Sequence, residues 1–350
     1  AVTYIATAEA SGSFWDTGEF IASAYKLQLP HPPGAPVFTL IGRFFIILFG
    51  DNPDTAARAV NVMSALASAF TILFLFWTIT HFARKMMVQK GEVPQGSQIW
   101  AIMASGAVGA LAYNFSDSFW FSAVEGEVYA LSSFFTALVF WAMLKWERAD
   151  EAAGNDVVAK ARADRWIIFI FFMMGLSIGV HLLNLLTIPA IVMIYYYRRY
   201  NYTRNGAIWA FLIGCLITGV VQVAVIQWTI KTAGMFDVLF VNSFGLPFFS
   251  GFAFYFLLLT VAIIIGLRFK EESFNKTKVS IWAVSLIILI ALPFLLELTS
   301  GIRILTRLIA VGATIFIAYV IKAKNLPVIR LTLWCFAFMM IGYSAYVTTL

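Results

Sequence analysis

RAVNVMSALASAFTILFLFWTITHFA, residues 58–83, runs for 26 residues with Arg58 as its one formal charge. A bilayer's hydrocarbon core takes about 20 mostly apolar residues of α-helix, so this stretch reads as a crossing. Similar runs occur at 98–115, 118–144, 166–181, 183–197, 206–230, 252–268, 280–297, 303–321 and 328–347. With a short apolar piece at 1–9 they predict eleven crossings. The turn between 166–181 and 183–197 falls on HLLN, 181–184. The whole chain is 61% hydrophobic and 12% charged, against about 25% charged in soluble domains. The fold class is therefore an all-α polytopic membrane protein, and the net charge of +6 is not a sign of nucleic-acid binding.

Where the charges sit sets the expected orientation. The connectors at 84–97, 145–165, 198–205, 268–279 and 322–330 hold 18 of the 24 Lys and Arg residues. The other six are Lys26, Arg43, Arg58, Lys231, Arg303 and Arg307. Basic residues gather on the cytoplasmic side, so residues 10–57 are expected outside. Within them, VFTLIGRFFIILFG, 37–50, is short for a crossing and reads as a helix lying in the headgroup plane. Cys215 and Cys335 lie inside apolar runs and form no disulfide framework.

Against that background SFWDTGEFIASAYKLQLPHPPGAP, 13–36, is out of place, with Asp16, Glu19, Lys26 and His31 between two greasy segments. Asp16 and Glu19 fit a capping-box spacing. They also share one helical face beside Phe14 and Trp15, where apolar surroundings raise a carboxylate's pKa toward that of a general base. HPPGAP forces an elbow, since Pro32 and Pro33 forbid helix there, and His31 is a candidate donor to a phosphate or hydroxyl. FWFSAVEGEVYAL, 119–131, puts Glu125 and Glu127 in an apolar run. An intramembrane carboxylate is costly and is a functional candidate by default; Gly126 offers a place for a break. IRILTR, 302–307, sets Arg303 and Arg307 four apart, suited to phosphate or to snorkelling at headgroups. GVHLLN, 179–184, adds His181 and Asn184. No metal-ligand spacing stands out, so no metal or other cofactor is expected, although Asp16 and Glu19 are able to hold a cation.

WDTGEF, LPHPPGAPVF, FWFSAVEGEVYAL and GVHLLNLLTIP together resemble a bacterial membrane-protein family related to the protein O-mannosyltransferases and to the wider GT-C glycosyltransferase fold. The likeness covers residues 1 to about 200. It implies a single transmembrane GT-C-like domain over 1–350, with interfacial helices in the external loop 10–57. It further implies a polyprenyl-phosphate sugar donor, an acceptor protein or peptide, and a site facing the periplasm of the bacterial inner membrane. The family's catalytic aspartate falls on Asp16. In the related mannosyltransferases the next acidic residue is adjacent, whereas here Thr17 and Gly18 precede Glu19, the second candidate catalytic residue. Arg303, Arg307, His31 and Lys26 are the expected phosphate-binding residues, and Glu127, His181 and Asn184 the expected substrate-binding ones. Family members often continue into a soluble external region, so the chain is read as a fragment lacking a soluble part C-terminal to residue 350. A transporter or flippase of lipid-linked sugars, and a non-catalytic subunit of a larger complex, are the competing readings. Either would tolerate loss of the Asp16 carboxylate.

Overall fold

A computed structural model describes residues 1–89, 91–270, 274–296, 304–322 and 326–347; at 293–296, 304–310, 316, 320 and 347 only the backbone is described. The described residues are helical and form two compact units, residues 1–187 with 341–350, and residues 188–340.

The first unit begins with α1 (Val2–Thr7), α2 (Thr17–Lys26) and α3 (Pro36–Leu48). It continues with α4 (Pro53–Met87), α5 (Ser97–Asn114), α6 (Asp117–Val124) and α7 (Val128–Ala153). Then come α8 (Val157–Ala163), α9 (Arg165–Ile178) and a 3₁₀ turn, Leu182–Thr187. Helix α4 is its axis and touches α1, α2, α3, α5, α6 and α7. Its start is well specified. The Asn52 side chain accepts from the Asp54 N–H at 3.0 Å, Pro53 stands at the first helical position, and Arg84 and Lys85 occupy the last turn. Its buried face is rich in small residues, Ala56, Ala59, Ser64, Ala65, Ala67 and Ser68, with the larger Val60, Val62 and Met63 between them. Small residues let helix backbones approach where lipid gives apolar side chains no drive to associate. Against that face pack Phe20, Ile21 and Ala24 of α2, Phe38 and Ile46 of α3, and Val128, Leu131 and Phe135 of α7. The elements that carry the quoted motifs therefore share one core.

The second unit holds α10 (Ile188–Arg199), α11 (Arg204–Val220), a π-helical segment Val221–Trp228 and α12 (Thr229–Phe244). After them come α13 (Ser250–Leu267), α14 (Lys276–Leu296), α15 (Ile304–Lys322) and α16 (Leu326–Val347), whose last turns belong with the first unit. Its core gathers Ala233, Tyr255, Leu259, Ile263, Leu326, Ile329 and Leu333.

Among the described residues, five helices are long and apolar enough to cross a membrane: Pro53–Met87, Val128–Ala153, Arg204–Phe244, Ser250–Leu267 and Leu326–Tyr346. The pair α5 and α6, bent by 69°, makes a sixth if it is one broken span. The chain is thus a multi-helix membrane protein, with five or six such spans where eleven crossings are expected. The expected crossings at 166–181 and 183–197 are α9 and α10, of 14 and 12 residues, too short to span about 30 Å of hydrocarbon. Those at 280–297 and 303–321 run into residues outside the described set. The expected helix 118–144 is interrupted at Glu125–Glu127, where the backbone is extended.

Candidate functional site

Asp16 stands at the N-cap of α2. Its side chain makes no capping hydrogen bond, so the capping-box reading of D-T-G-E is corrected. Glu19 does not reach back to Asp16 either. Its carboxylate turns to His31 on the proline elbow: Oε1 accepts from the His31 backbone N–H at 2.6 Å, and Oε2 lies 2.8 Å from the His31 ring Nδ1. Two bonds from one carboxylate to one residue lock the elbow to α2. The histidine bonds hold the Glu19 carboxyl below its ordinary pKa. The Glu19 side-chain bond raises the His31 pKa, with smaller contributions from the charges of Glu19, Asp16 and Glu127. Phe14 and Trp15, just before Asp16, are exposed, and Trp15 adopts a left-handed backbone, φ 63°, a conformation that costs an L-residue about 1–2 kcal/mol.

The elbow is tied to a second motif. Leu27 ends α2 in a left-handed conformation, its N–H bonded to the Ser23 carbonyl. The last proline of HPPGAP, Pro36, opens α3. Its unsatisfied N–H groups at Val37 and Phe38 donate to the carbonyl of Gly179, at 2.8 and 3.4 Å. A methyl group on Gly179 would lie 2.5 Å from the Val37 side chain. Only glycine lets GVHLLN approach HPPGAPVF this closely. Tyr346 of α16 donates to the Pro33 carbonyl.

A third motif comes within electrostatic reach of Asp16. Glu127 lies in the extended break between α6 and α7, outside the spanning helices, and is 7% exposed. Thr17, fully buried, donates to its Oε1 at a long 3.5 Å. Burial raises the Glu127 pKa, and the nearby charges of Asp16 and then Glu125 raise it further. Gly126 permits the break to sit against α4, for a methyl there would come 3.0 Å from Asn61 Oδ1 and from Val60. The structure thus gathers Asp16, Glu19, His31 and Glu127 into one acidic group around a histidine.

The remaining expected residues fall elsewhere. His181 accepts from the Leu183 N–H at 3.2 Å, and its ring lies 5.4 Å from that of Tyr129, early in α7. Asn184 is fully buried and ties its turn to α9, donating to Ser177 Oγ at 3.0 Å, while it accepts from Thr187 within the turn. Lys26 is at the opposite end of α2 from Asp16, about 15 Å along the axis at 1.5 Å per residue, with its Nζ over the Tyr25 ring. Arg303 and the side chain of Arg307 lie outside the described residues.

Two residues of α4 that sequence reasoning passed over shape the approach to Asp16. Arg58 donates to the carbonyls of Ile5 and Ala8 at the end of α1. Asn61 donates to those of Glu9 and Ser11 at 2.9 and 3.2 Å. Both fix the segment that leads into WDTGEF. Their signal in the sequence is a cation and an amide at consecutive turns of an otherwise apolar helix.

Donor atoms of Asp16, Glu19 and His31 all lie within 4.8 Å of one another. That is close enough for a cation, but both Glu19 oxygens already bond His31.

The sequence model of the Protein O-mannosyl-transferase TMEM260 N-terminal domain matches residues 16–204, more than half of the chain. The chain belongs to that family. The match begins at Asp16 and takes in every motif of the acidic group, while Arg303 and Arg307 lie beyond it. Protein O-mannosyl-transferase TMEM260 of Mus musculus is 29% identical over 144 residues, 41% of this chain and 18% of that protein. Protein O-mannosyl-transferase tmem260 of Dictyostelium discoideum is 25% identical over 140 residues, 40% of this chain and 15% of that protein. The alignments thus cover less than a fifth of either relative, and both of these are eukaryotic. No solved structure matches.

Proposed function

We propose that this chain is the membrane part of a glycosyltransferase. It moves a sugar from a polyprenyl-phosphate donor to Ser or Thr hydroxyls of exported proteins, with Asp16 as general base, on the extracytoplasmic face of a bacterial cytoplasmic membrane. The observation that carries this reading is the convergence of WDTGEF, the HPPGAP elbow and the VEGEV break around an Asp16 whose carboxylate is not used to cap its own helix. The relatives' names, which speak of protein O-mannosyl transfer, support the same reaction class.

The chemistry asks little else of the protein. The acceptor oxygen forms a bond to sugar C1 as the bond from C1 to the phosphate oxygen breaks. The electron pair leaves with the phosphate, and the acceptor proton passes to Asp16. One displacement inverts C1, by analogy with the inverting glycosidases. A phosphate is already a good leaving anion, so we assign no metal and no other cofactor to the step. His31, raised toward its charged form by Glu19, supplies positive charge for that phosphate. Arg303 and Arg307 are the further candidates for this role, whereas Lys26 stands far from Asp16. Glu127 holds sugar hydroxyls. His181 borders them through Tyr129, and Asn184 keeps the 3₁₀ turn in shape.

The test is a transfer assay with the purified chain in detergent, polyprenyl-phosphate mannose as first donor and a Ser/Thr-rich peptide as acceptor. Formation of a peptide glycoside with inverted configuration at C1 is the expected result. Donor translocation across vesicles with no glycopeptide formed would favour the flippase reading.

A further inference from the structure

A pocket lies in the first unit, at the other end of α4 and α7 from the acidic group. It is a cavity of about 210 Å³ lined by Trp77, Thr80, His81, Trp141, Lys145 and Arg148. The neighbouring carboxylate of Glu147 is already committed. Glu147 takes Lys85 Nζ on Oε1 at 2.5 Å and faces His81 Nε2 from Oε2 at 3.4 Å, with His81 itself 5% exposed. Lys145 and Arg148 have no ion pair among the described residues. Lys145 Nζ instead lies 5.0 Å from the centre of the Trp141 ring, and Arg148 feels the charge of Arg84 as well as that of Glu147. Two cations, Lys145 and Arg148, therefore line the hollow beside a carboxylate already taken by Lys85.

We propose that this pocket binds the phosphodiester headgroup of an anionic phospholipid. Two cations lining one hollow, neither in an ion pair of its own, are stabilised when an anion enters, and phosphate oxygens accept from Lys and Arg together. The two indole rings favour a lipid over a free ion. Trp belongs at headgroup depth, with an apolar ring face toward the glycerol region and acyl chains. Basic hollows between membrane helices are suited to such headgroups. Helices α4 and α7 are both among the membrane spans, so a lipid reaches the pocket from the side without leaving the bilayer.

Native mass spectrometry of the full chain in detergent tests this with short-chain phosphatidylglycerol, short-chain phosphatidylcholine and inorganic phosphate. Phosphatidylglycerol should bind at least tenfold tighter than phosphatidylcholine. The double variant K145Q/R148Q should lose at least tenfold of that affinity, and the charge-keeping K145R/R148K should retain it. If the double variant does not fold, the single Arg148→Gln variant carries the same comparison. Equal binding of the two lipids, or unchanged affinity in the Gln variants, would overturn the proposal. Displacement of phosphatidylglycerol by inorganic phosphate at equal concentration would also overturn it, assigning the pocket to a soluble anion.

Discussion

Asp16 stands at the N-cap position of α2 without its side chain capping the helix, and that separates it from an ordinary helix-start aspartate. Glu19 and His31 are the second residue-scale feature. The Glu19 pKa is lowered by the His31 bonds and that of His31 is raised by Glu19. The two shifts act on stability in opposite directions of pH. A lowered carboxylate contributes stability above its unfolded value and loses it as pH falls through the folded one. A raised histidine contributes below its unfolded value and loses it as pH rises through the folded one. The elbow is therefore held best between the unfolded values of 4.5 and 6.5, and solvent around these exposed groups weakens the effect. Replacing Glu19 with Gln should bring the His31 pKa back down toward 6.5, as read by NMR titration of the ring. An unchanged His31 titration would mean that the contact is not made in solution.

At the scale of elements, the order of motifs was legible and their meeting was not. The residues of WDTGEF, HPPGAP, VEGEV and GVHLLN stand out in sequence as polar groups in apolar surroundings. That Glu19 pairs with a histidine twelve residues on depends on where α2 stops, and a left-handed Leu27 sets that. Gly126 hinted at the interruption of 118–144, but its extent depends on the fit against Asn61 and Val60. Arg58 and Asn61 escaped because hydropathy reads the body of a span as lipid-facing or core and does not see carbonyls of a neighbouring segment. Gly179 gives the test at this scale. Gly179→Ala forces a methyl against Val37 and should cost about 1–3 kcal/mol, seen as a lowered midpoint of thermal unfolding in detergent. Sugar transfer should fall with it, because α3 and the elbow shift together. A variant with unaltered stability would contradict the close packing of the two motifs.

For the whole molecule, sequence settled the class but not the number of spans. Hydropathy cannot tell a crossing from a pair of short helices such as α9 and α10, or see that α11 and α12 run on through a π segment as one 41-residue helix. The split of 18 basic residues against six still makes a topology prediction. A cysteine at Asn155, in the connector between α7 and α8, should be shielded from a membrane-impermeant thiol reagent in intact cells. One at Phe248, exposed between α12 and α13, should be labelled. Labelling at 155 from outside would put the basic connectors on the wrong side and move the acidic group to the cytoplasm. The role of Asp16 is probed most directly by single-turnover sugar transfer with Asp16→Asn, donor affinity being measured on the same preparation. The expected rate is about 10²–10⁴ lower, the share a positioned base supplies, with a folded protein and donor affinity within about twofold, since the substitution is nearly isosteric. Transfer by Asp16→Asn at the wild-type rate would show that Asp16 is not the base.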